Sequence, residues 1–359
     1  MPLSELINRG ITRRRVLAGL AGIPASSLIG RTAMAMTGGE AEAVAGPSSG
    51  LRQPWGLAVL DGEAFAADCE AKCVWRLGRD GSVSTVAPRL QLDRPMDVAV
   101  ASDGRILVLD AGQGRIWAIN LGNFDVEHVA GNGRPGFSGD GAAARDASFS
   151  NPIALAAAPD GTTFVADHDN LRIRQIDPAG VITTVAGTGI LDDAPGGDGA
   201  GTSTNIGPPA AIAISSSGQV YFSDLRHTRI RGLDADGFCT TVAGDAPLVE
   251  RNVGGRAGVA DQDALSNGDG GPARRASVGH IYGLAFSTRE WIYLSDTKHF
   301  RIRRLRDGGS VEGVVGSNPQ QHNDGSSTLT GPLGLAVSND ELWFTDRGGY
   351  VRRIHSPEL

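Results

Sequence analysis

Six copies of one residue pattern run along this chain, and an internal repeat constrains the possible fold more than any other feature. The clearest copies are FVADHDNLRIRQI at Phe164–Ile176 and YFSDLRHTRIRGL at Tyr221–Leu233. The aspartates that anchor the six copies are Asp68, Asp110, Asp167, Asp224, Asp296 and Asp346. Their separations of 42, 57, 57, 72 and 50 residues indicate one structural unit whose copies are joined by loops of different length.

Each copy predicts four short antiparallel strands. An opening motif of the Pro-x-Gly-Leu-Ala type, such as Pro54–Ala58, suits the start of a strand because proline cannot donate to a sheet ladder. A turn such as Asp103-Gly104 then leads to a β-branched and aromatic run that ends in the repeat aspartate, which is typical of a hairpin. The alternating run Arg172–Ile176 predicts a third strand with one buried face. A Val-Ala-Gly ending, as in Ile182–Gly187, predicts the fourth.

Four strands per copy, repeated without a helical period, predict an all-β fold: a six-bladed β-propeller of four-stranded antiparallel blades. The chain stops after the third strand of the sixth copy, whereas Ala43–Gly46 carries the Val-Ala-Gly ending ahead of the first opening motif. We therefore expect this N-terminal strand to pair with Tyr350–Ile354 and to close the ring, since closure removes two open sheet edges.

The repeat resembles the NHL-repeat family, and the resemblance covers nearly everything from Ala43 to Ile354. The Asp-x-x-Asn-x-Arg-Ile-Arg core of that family is complete at Asp167–Arg174. Other copies depart from it, with His227 and His299 at the Asn position. The resemblance implies the propeller fold and no particular activity, because propellers of this type include enzymes, receptors and scaffolds.

Residues 1–35 predict an export signal ahead of a propeller at residues 36–359. A basic start, an apolar stretch at Val16–Ile29 and the small-residue site at Ala33–Ala35 have the order of a signal peptide. The apolar stretch is too short and interrupted for a stable membrane span. The Arg13-Arg14 pair resembles the twin-arginine signal, with an ordinary basic leader as the alternative. We expect the mature protein to be periplasmic or extracellular.

The charge of the predicted mature chain argues against nucleic-acid partners. The full sequence has a net charge of −7, and removal of a leader with five arginines and one glutamate leaves 28 basic and 39 acidic residues, or −11. A domain this acidic binds polyanions poorly. We expect a monomer that binds a protein or small-molecule ligand.

The sequence contains three cysteines, and it does not decide whether two of them form a disulfide. Cys69 and Cys73 lie four residues apart and would either form a small-loop disulfide or remain thiols. Cys239 falls within a predicted strand and is expected to be buried.

The candidate binding surface follows from the topology of a blade. The opening motif and the loop between the second and third strands lie at the same face, so that face gathers one variable opening-motif residue from each copy. These residues form a predicted central ring, which is apolar and aromatic: Trp55, Met96, Ile153, Ala210, Tyr282 and Leu333. Aromatic anchors with polar surroundings are typical of recognition sites. We expect Trp55, Met96, Ile153, Tyr282 and Leu333 to contact a ligand.

An enzymatic interpretation is the alternative: a lyase, isomerase or lactone-type hydrolase in the central funnel. Its candidate catalytic residues are His168, His227, His280, His299 and Arg347. NHL-like lyases of peptide α-amidation are similar in fold and use central histidines to hold a metal, but only His280 lies near that position here. We therefore expect no resident metal or other cofactor. For most of these histidines, and for the six aspartates, we favour a structural role in local hydrogen bonding.

The long connections share a second motif, Gly-Asp-Gly, as at Gly139–Gly141 and Gly268–Gly270. This motif suits tight turns. Calcium needs six to eight oxygens with several from one loop, and each of these loops supplies a single acid. The longest connection, Asp245–Val278, is predicted to form a lid or rim on the ring-bearing face.

Overall fold

Six antiparallel sheets occur in the described part of the chain, one for each copy of the repeat. The computed structural model describes residues 41–192, 196–244, 268–306, 309–316, 329–339 and 341–355. The predicted export signal at 1–35 and loop residues 245–267 lie outside the described residues. The predicted all-β six-bladed propeller is confirmed.

The strands of the first three blades follow each other in chain order. Blade 1 consists of β2 (Pro54–Leu60), β3 (Glu63–Asp68), β4 (Cys73–Leu77) and β5 (Val83–Val86). Blade 2 consists of β6 (Pro95–Val100), β7 (Ile106–Asp110), β8 (Arg115–Ile119) and β9 (Val126–Ala130). Blade 3 consists of β10 (Ala142–Ala143), β11 (Pro152–Ala157), β12 (Thr163–Asp167), β13 (Arg172–Ile176) and β14 (Val181–Ala186).

The remaining blades repeat this arrangement, and the sixth takes its last strand from the N-terminal side. Blade 4 consists of β15 (Gly199–Ala200), β16 (Pro209–Ile214), β17 (Val220–Asp224), β18 (Arg229–Leu233) and β19 (Phe238–Ala243). Blade 5 consists of β20 (Ile281–Phe286), β21 (Ile292–Asp296), β22 (Arg301–Leu305) and β23 (Val311–Val315). Blade 6 consists of β1 (Glu42–Ala45), β24 (Pro332–Ser338), β25 (Glu341–Asp346) and β26 (Tyr350–His355). Short 3₁₀ turns lie at Pro47–Ser49, Ala144–Asp146, Gly201–Ser203, Ala273–Arg275 and Thr297–His299.

The ring of blades is closed between blade 6 and blade 1, and blade 6 itself is completed by the N-terminal strand. The first strands β2, β6, β11, β16, β20 and β24 contact one another in that order, and β24 contacts β2. Strand β1 pairs antiparallel with β26, with Glu42 opposite Arg353 and Ala45 opposite Val351. The predicted closure by the N-terminal strand is confirmed. Gly46 follows β1 where a Cβ would lie 2.6 Å from the Tyr350 ring, so the close approach requires glycine.

The hydrophobic core lies between neighbouring blades. Leu109 and Ile116 of blade 2 pack against Val165 and Ile176 of blade 3. Equivalent apolar clusters fill the other five spaces between neighbouring blades. Each third strand has apolar residues on both faces, as in β13, where Ile173 packs in the space toward blade 4 and Ile176 in the space toward blade 2. The prediction of a third strand with one buried face is therefore wrong. Each first strand begins at one end of the ring, which we call the ring face, and each second strand returns to it.

The Gly-Asp-Gly connections run along the outer edges of the blades, and we call them straps. In blades 3 and 4 the strap adds a two-residue fifth strand, because β10 pairs with β14 and β15 with β19. The expectation of four strands in every blade is therefore wrong for these two. In blade 5 the strap bonds to the outer strand through Gly270 N–H and Val311 O at 2.7 Å. Strap residues 268–276 thus cover a blade edge and do not form the predicted rim of the ring face.

Candidate functional site

The repeat aspartates are buried hydrogen-bond acceptors at the ring face. Asp68 accepts from the backbone N–H of Arg52 at 2.7 Å, of Gln53 at 2.9 Å and of Ala71 at 2.9 Å, and from the Trp75 indole at 3.1 Å. The other repeat aspartates are equally buried. Each one accepts at least one backbone N–H, from the residues just ahead of its opening motif or from the loop that follows it, so the structural interpretation of these residues is confirmed.

Buried arginines connect the straps to the blades. Arg174 is completely buried. Its guanidinium lies 3.3 Å from Asp167 and 2.7 Å from Asp140 of the Gly-Asp-Gly motif. Arg303 likewise lies between Asp296 and Asp269. The sequence analysis did not predict that the aspartate of the Gly-Asp-Gly motif pairs with a buried arginine. The sequence did contain a signal for this pairing, because the motif recurs ahead of the blades whose third strand has Arg-Ile-Arg.

Two of the candidate histidines, His227 and His299, form hydrogen bonds with the aspartate of their own repeat. His227 Nδ1 lies 2.8 Å from Asp224 and its Nε2 lies 3.0 Å from Asp192 O. His299 Nδ1 lies 2.8 Å from Asp296. These contacts reproduce the bond that Asn170 makes with Asp167 at 2.8 Å. The hydrogen bond to Asp224 raises the pKa of His227 despite the opposing effect of burial.

His168 is also bonded, since its Nδ1 lies 2.9 Å from Pro209 O of the next blade. It therefore helps to hold two blades together at the ring face. Burial raises the pKa of Asp296, but the bond from His299 and the Arg303 charge outweigh that effect and leave the pKa below its usual value. His168, His227 and His299 thus have structural contacts.

Five of the six central-ring residues, all except Leu333, form one apolar cluster at the ring face. Met96, Ile153 and Ala210 are buried there with Ala111, and Trp55 and Tyr282 pack against them while remaining partly exposed. Leu333 is completely buried. Of the predicted ligand contacts, Trp55 and Tyr282 are therefore the two whose side chains present substantial accessible surface.

Trp55 and Tyr282 meet edge to face, with ring centroids 5.5 Å apart and an interplanar angle of 81°. Such pairs contribute about 0.5–1.5 kcal/mol beyond their buried area. The Trp55 indole N–H is buried and has no hydrogen-bond partner among the described residues. An unpaired buried donor is costly for a fold, and the indole N–H of Trp117 in blade 2 is in the same situation.

His280 and Arg347 are the two candidate catalytic residues that lie beside this aromatic pair. The His280 ring lies 6.5 Å from the Tyr282 ring, and the Arg347 Cζ lies 5.9 Å from its centroid. Both side chains are exposed. Partial burial, followed by the charges of Lys298 and Arg347, lowers the pKa of His280. Sequence reasoning missed Lys298, which no pattern separates from an ordinary surface lysine.

Beneath the ring, the propeller axis contains one carboxylate. The third position of the opening motif is small in five blades and acidic in one: Gly56, Asp97, Ala154, Ala211, Gly283 and Gly334. Asp97 borders a cavity of about 60 Å³ and accepts from Leu155 N–H at 2.8 Å and Val98 N–H at 2.9 Å. Asp97 keeps some accessible surface. Desolvation by the surrounding strands raises its pKa to about 7.

The cysteines are free thiols in this structure. Cys69 Sγ donates to the Gln53 side-chain oxygen at 3.1 Å. Burial, together with the Asp68 charge, raises the pKa of Cys73 to about 12. Cys239 is buried, as predicted.

Among the residues that the structure describes, no group of three or more His, Cys, Asp or Glu side chains converges as a set of metal ligands. Across the same ranges, no helix is long and apolar enough to span a bilayer.

The profile of the Teneurin NHL domain matches residues 128–177, a segment that contains the strap of blade 3 and its Asp140, Asp167 and Arg174. The match falls on the repeat core, and the six blades share its arrangement. The chain is an NHL-repeat β-propeller.

One relative of this NHL propeller is the Arabidopsis thaliana protein SUPPRESSOR OF QUENCHING 1, chloroplastic, which is 26% identical over 199 residues. That alignment covers 52% of this chain and 18% of the plant protein, so the propeller spans less than a fifth of that relative's length.

Solved structures with this fold include a putative gluconolactonase and an auxiliary nutrient binding protein from Bacteroides thetaiotaomicron. The first is 14% identical with a TM-score of 0.59 and covers 89% of this chain and 93% of its own. The second is 12% identical with a TM-score of 0.58 and covers 85% of this chain and 69% of its own. At these identities the likeness shows the fold, and the two descriptions differ in function.

Proposed function

We propose that this NHL propeller is a binding protein that receives an aromatic or apolar group of its ligand at the central ring. The observation that carries the proposal is the partly exposed edge-to-face pair of Trp55 and Tyr282 above the buried floor of Met96 and Ile153. Large aromatic side chains at the centre of an apolar patch supply most of the energy in recognition sites.

The enzymatic alternative depends on fewer residues than the sequence suggested. His168, His227 and His299 are engaged in structural bonds, so acid or base chemistry at this face would rest on His280 and Arg347. The resemblance in fold to a putative gluconolactonase does not assign roles to these two residues. Binding is therefore the function that the geometry favours.

Export accompanies this proposal. The Arg13-Arg14 pair supports a mature protein outside the cytoplasm. Replacing both arginines by lysine is expected to leave the full-length precursor inside cells, whereas the wild-type protein is recovered from the exported fraction with an N-terminus near Met36. Equal export of both forms, measured by mass spectrometry, would overturn this assignment.

The neutral fluorescent probe N-phenyl-1-naphthylamine tests the binding proposal. We expect its fluorescence to rise on titration with the purified mature protein, because the probe offers an apolar aromatic body without charge. The double variant Trp55→Ala/Tyr282→Ala should lose this enhancement while keeping the far-ultraviolet circular dichroism of the wild type.

A matched control is available at the opposite end of the propeller. Phe124 and Phe238 are exposed aromatic side chains in or beside the turns that lead into outer strands, away from the ring face. The variant Phe124→Ala/Phe238→Ala should retain the probe enhancement. Equal enhancement in the Trp55/Tyr282 variant and the wild type, or none in the wild type, would refute the proposal.

A further inference from the structure

Three basic side chains lie on one side of the central ring, where blades 5 and 6 meet. Arg347 lies above the Tyr282 ring and His280 beside it, while the Lys298 Cβ approaches Gly279, the residue before His280. The charges of Lys298 and Arg347 both act on His280. The three side chains therefore share one local electrostatic field.

The acidic groups nearby are already occupied. Asp296 pairs with Arg303, and Asp346, which precedes Arg347 in the chain, pairs with Arg352. Asp296 additionally bonds to His299. Among the described residues, the Arg347 guanidinium, the Lys298 ammonium and the His280 imidazole have no hydrogen-bond or ion-pair partner. This sector of the ring face consequently has uncompensated positive charge on a protein with a negative total.

The opposite side of the ring is apolar. Met96, Ala111, Ile153 and Ala210 are buried there, with Leu225 packed against them. A ligand whose body covers Trp55 and Tyr282 would thus have one end against apolar side chains and the other against the basic sector. A ligand of uniform polarity would leave one of these two sides unsatisfied.

We infer that the central ring selects ligands in which a carboxylate is joined by a short spacer to an aromatic or apolar body, with the carboxylate bound by Arg347 and Lys298. This inference rests on the proposed binding function and specifies its ligand class. Arginine binds carboxylates through two parallel hydrogen bonds, and its position 5.9 Å from the Tyr282 centroid puts the anion close to the ring that holds the body.

The matched pair 3-phenylpropionate and 3-phenylpropionamide tests the inference, because the two compounds have nearly the same shape and differ in charge. Each is titrated against the wild-type protein carrying bound N-phenyl-1-naphthylamine. We expect the acid to displace the probe at a concentration about tenfold lower than the amide. The advantage should shrink between 50 and 300 mM salt, since exposed charges are screened.

Charge-removing variants locate the effect. For Arg347→Gln/Lys298→Gln, the affinity for the probe is measured first and each displacement is corrected for it. The acid and the amide should then displace the probe from this variant at equal concentrations. Arg79→Gln, which removes an exposed arginine from the β4–β5 turn at the opposite face, should keep the preference for the acid. Retention of that preference in the double variant would overturn the assignment to Arg347 and Lys298.

His280 supplies a second readout that a structural role would not produce. Its pKa is lowered in the free protein by burial and by Lys298 and Arg347, with His299 adding to this and Asp296 opposing it. A bound carboxylate would raise it, so lowering the pH from 7.5 to 5.5 should strengthen binding of the acid in the wild type. The gain should be absent in His280→Gln, and an equal gain in both proteins would contradict a contact with His280.

The possible failures separate the two proposals. If the probe binds but acid and amide compete equally, the ring binds apolar groups without charge selection and the inference is wrong. If the probe does not bind, the binding function itself fails. The tripeptide Gly-Gly-Phe and its C-terminal amide, run in the same assay, distinguish a free carboxylic acid from a peptide C-terminus as the source of the anion.

Discussion

Asp140 Oδ1 lies 2.7 Å from Nη2 of Arg174, which joins the strap of blade 3 to the centre of its sheet. Arg174 is completely buried, whereas the Asp140 side chain is 39% exposed. The pair therefore brings a partly exposed loop carboxylate against a guanidinium that has no access to water. Because Arg174 also contacts Asp167, strap, third strand and repeat aspartate form one unit.

Asp140→Ala should destabilise the propeller by about 2 kcal/mol, because it removes one charged acceptor from a buried guanidinium. The free energy of unfolding from urea titration measures this. Asp146→Ala is the matched control: Asp146 is an exposed acid in the same strap, and its loss should change stability by less than about 0.5 kcal/mol. Equal effects of the two substitutions would show that the ion pair does not hold the strap.

A chain that begins at Pro47 should remain folded but lose about 3 kcal/mol relative to one that begins at Met36. It lacks β1, so its ladder with β26 and the Glu42–Arg353 contact disappear. The freed edge of β26 should also promote self-association. Thermal denaturation and size-exclusion chromatography measure both effects, and identical melting temperatures would contradict closure by β1.

Asp97 should make the propeller less stable as the pH rises from 5 to 8. Its pKa is raised from 3.8 to about 7 in the folded protein, so the folded state binds the proton more tightly than the unfolded chain. The stabilisation from this proton is complete below pH 3.8 and is lost as the pH rises through 7. Because the pKa rises from 3.8 to about 7 on folding, the stability lost over this pH range is on the order of 4 kcal/mol.

Asp97→Asn should remove this part of the pH dependence while retaining a side-chain acceptor for one of the two backbone N–H groups. The free energy of unfolding is measured by urea titration at pH 5 and pH 8. Between these two values the variant should lose less stability than the wild type. Parallel pH profiles for the two proteins would rule out ionisation of Asp97 in this range.

His227→Asn should preserve the fold, because Asn170 makes the corresponding bond to Asp167 in blade 3. Since Asp224 raises the pKa of His227, the histidine contributes stability that is complete below its unfolded pKa of about 6.5 and is lost as the pH rises through the folded value. The variant should therefore lose less stability than the wild type between pH 6 and pH 8.5. His355→Asn, at the exposed end of β26, serves as control. A variant that loses as much stability as the wild type would contradict the contribution.

Much of the fold was predictable because the repeat carries local information. The opening proline, the turn glycines and the alternating Arg-Ile-Arg run each specify a strand or its boundary, so the strand order and the pairing of β1 with β26 followed from the sequence. The fifth strands of blades 3 and 4 did not, since Ala142–Ala143 and Gly199–Ala200 become strands only where a strap reaches the outer edge of a sheet.

The candidate site was predictable in composition but not in arrangement. The variable position of the opening motif identified Trp55 and Tyr282, yet nothing local indicated that Leu333 would be completely buried. The sequence separated the catalytic candidates by position alone, with His280 near the central ring and His227 and His299 at the Asn position of the repeat. The fold added that His227 bonds to Asp224, whereas His280 lies exposed beside Tyr282.

The sequence by itself determined six blades, their closure by an N-terminal strand and the structural duty of the repeat aspartates, because these depend on patterns within about a dozen neighbouring residues. Tertiary structure alone decided that Lys298 and Arg347 share a field with His280, that Asp140 pairs with Arg174, and that Asp97 faces the propeller axis. Contacts between different blades, and between straps and blades, depend on distances through space that no local pattern records.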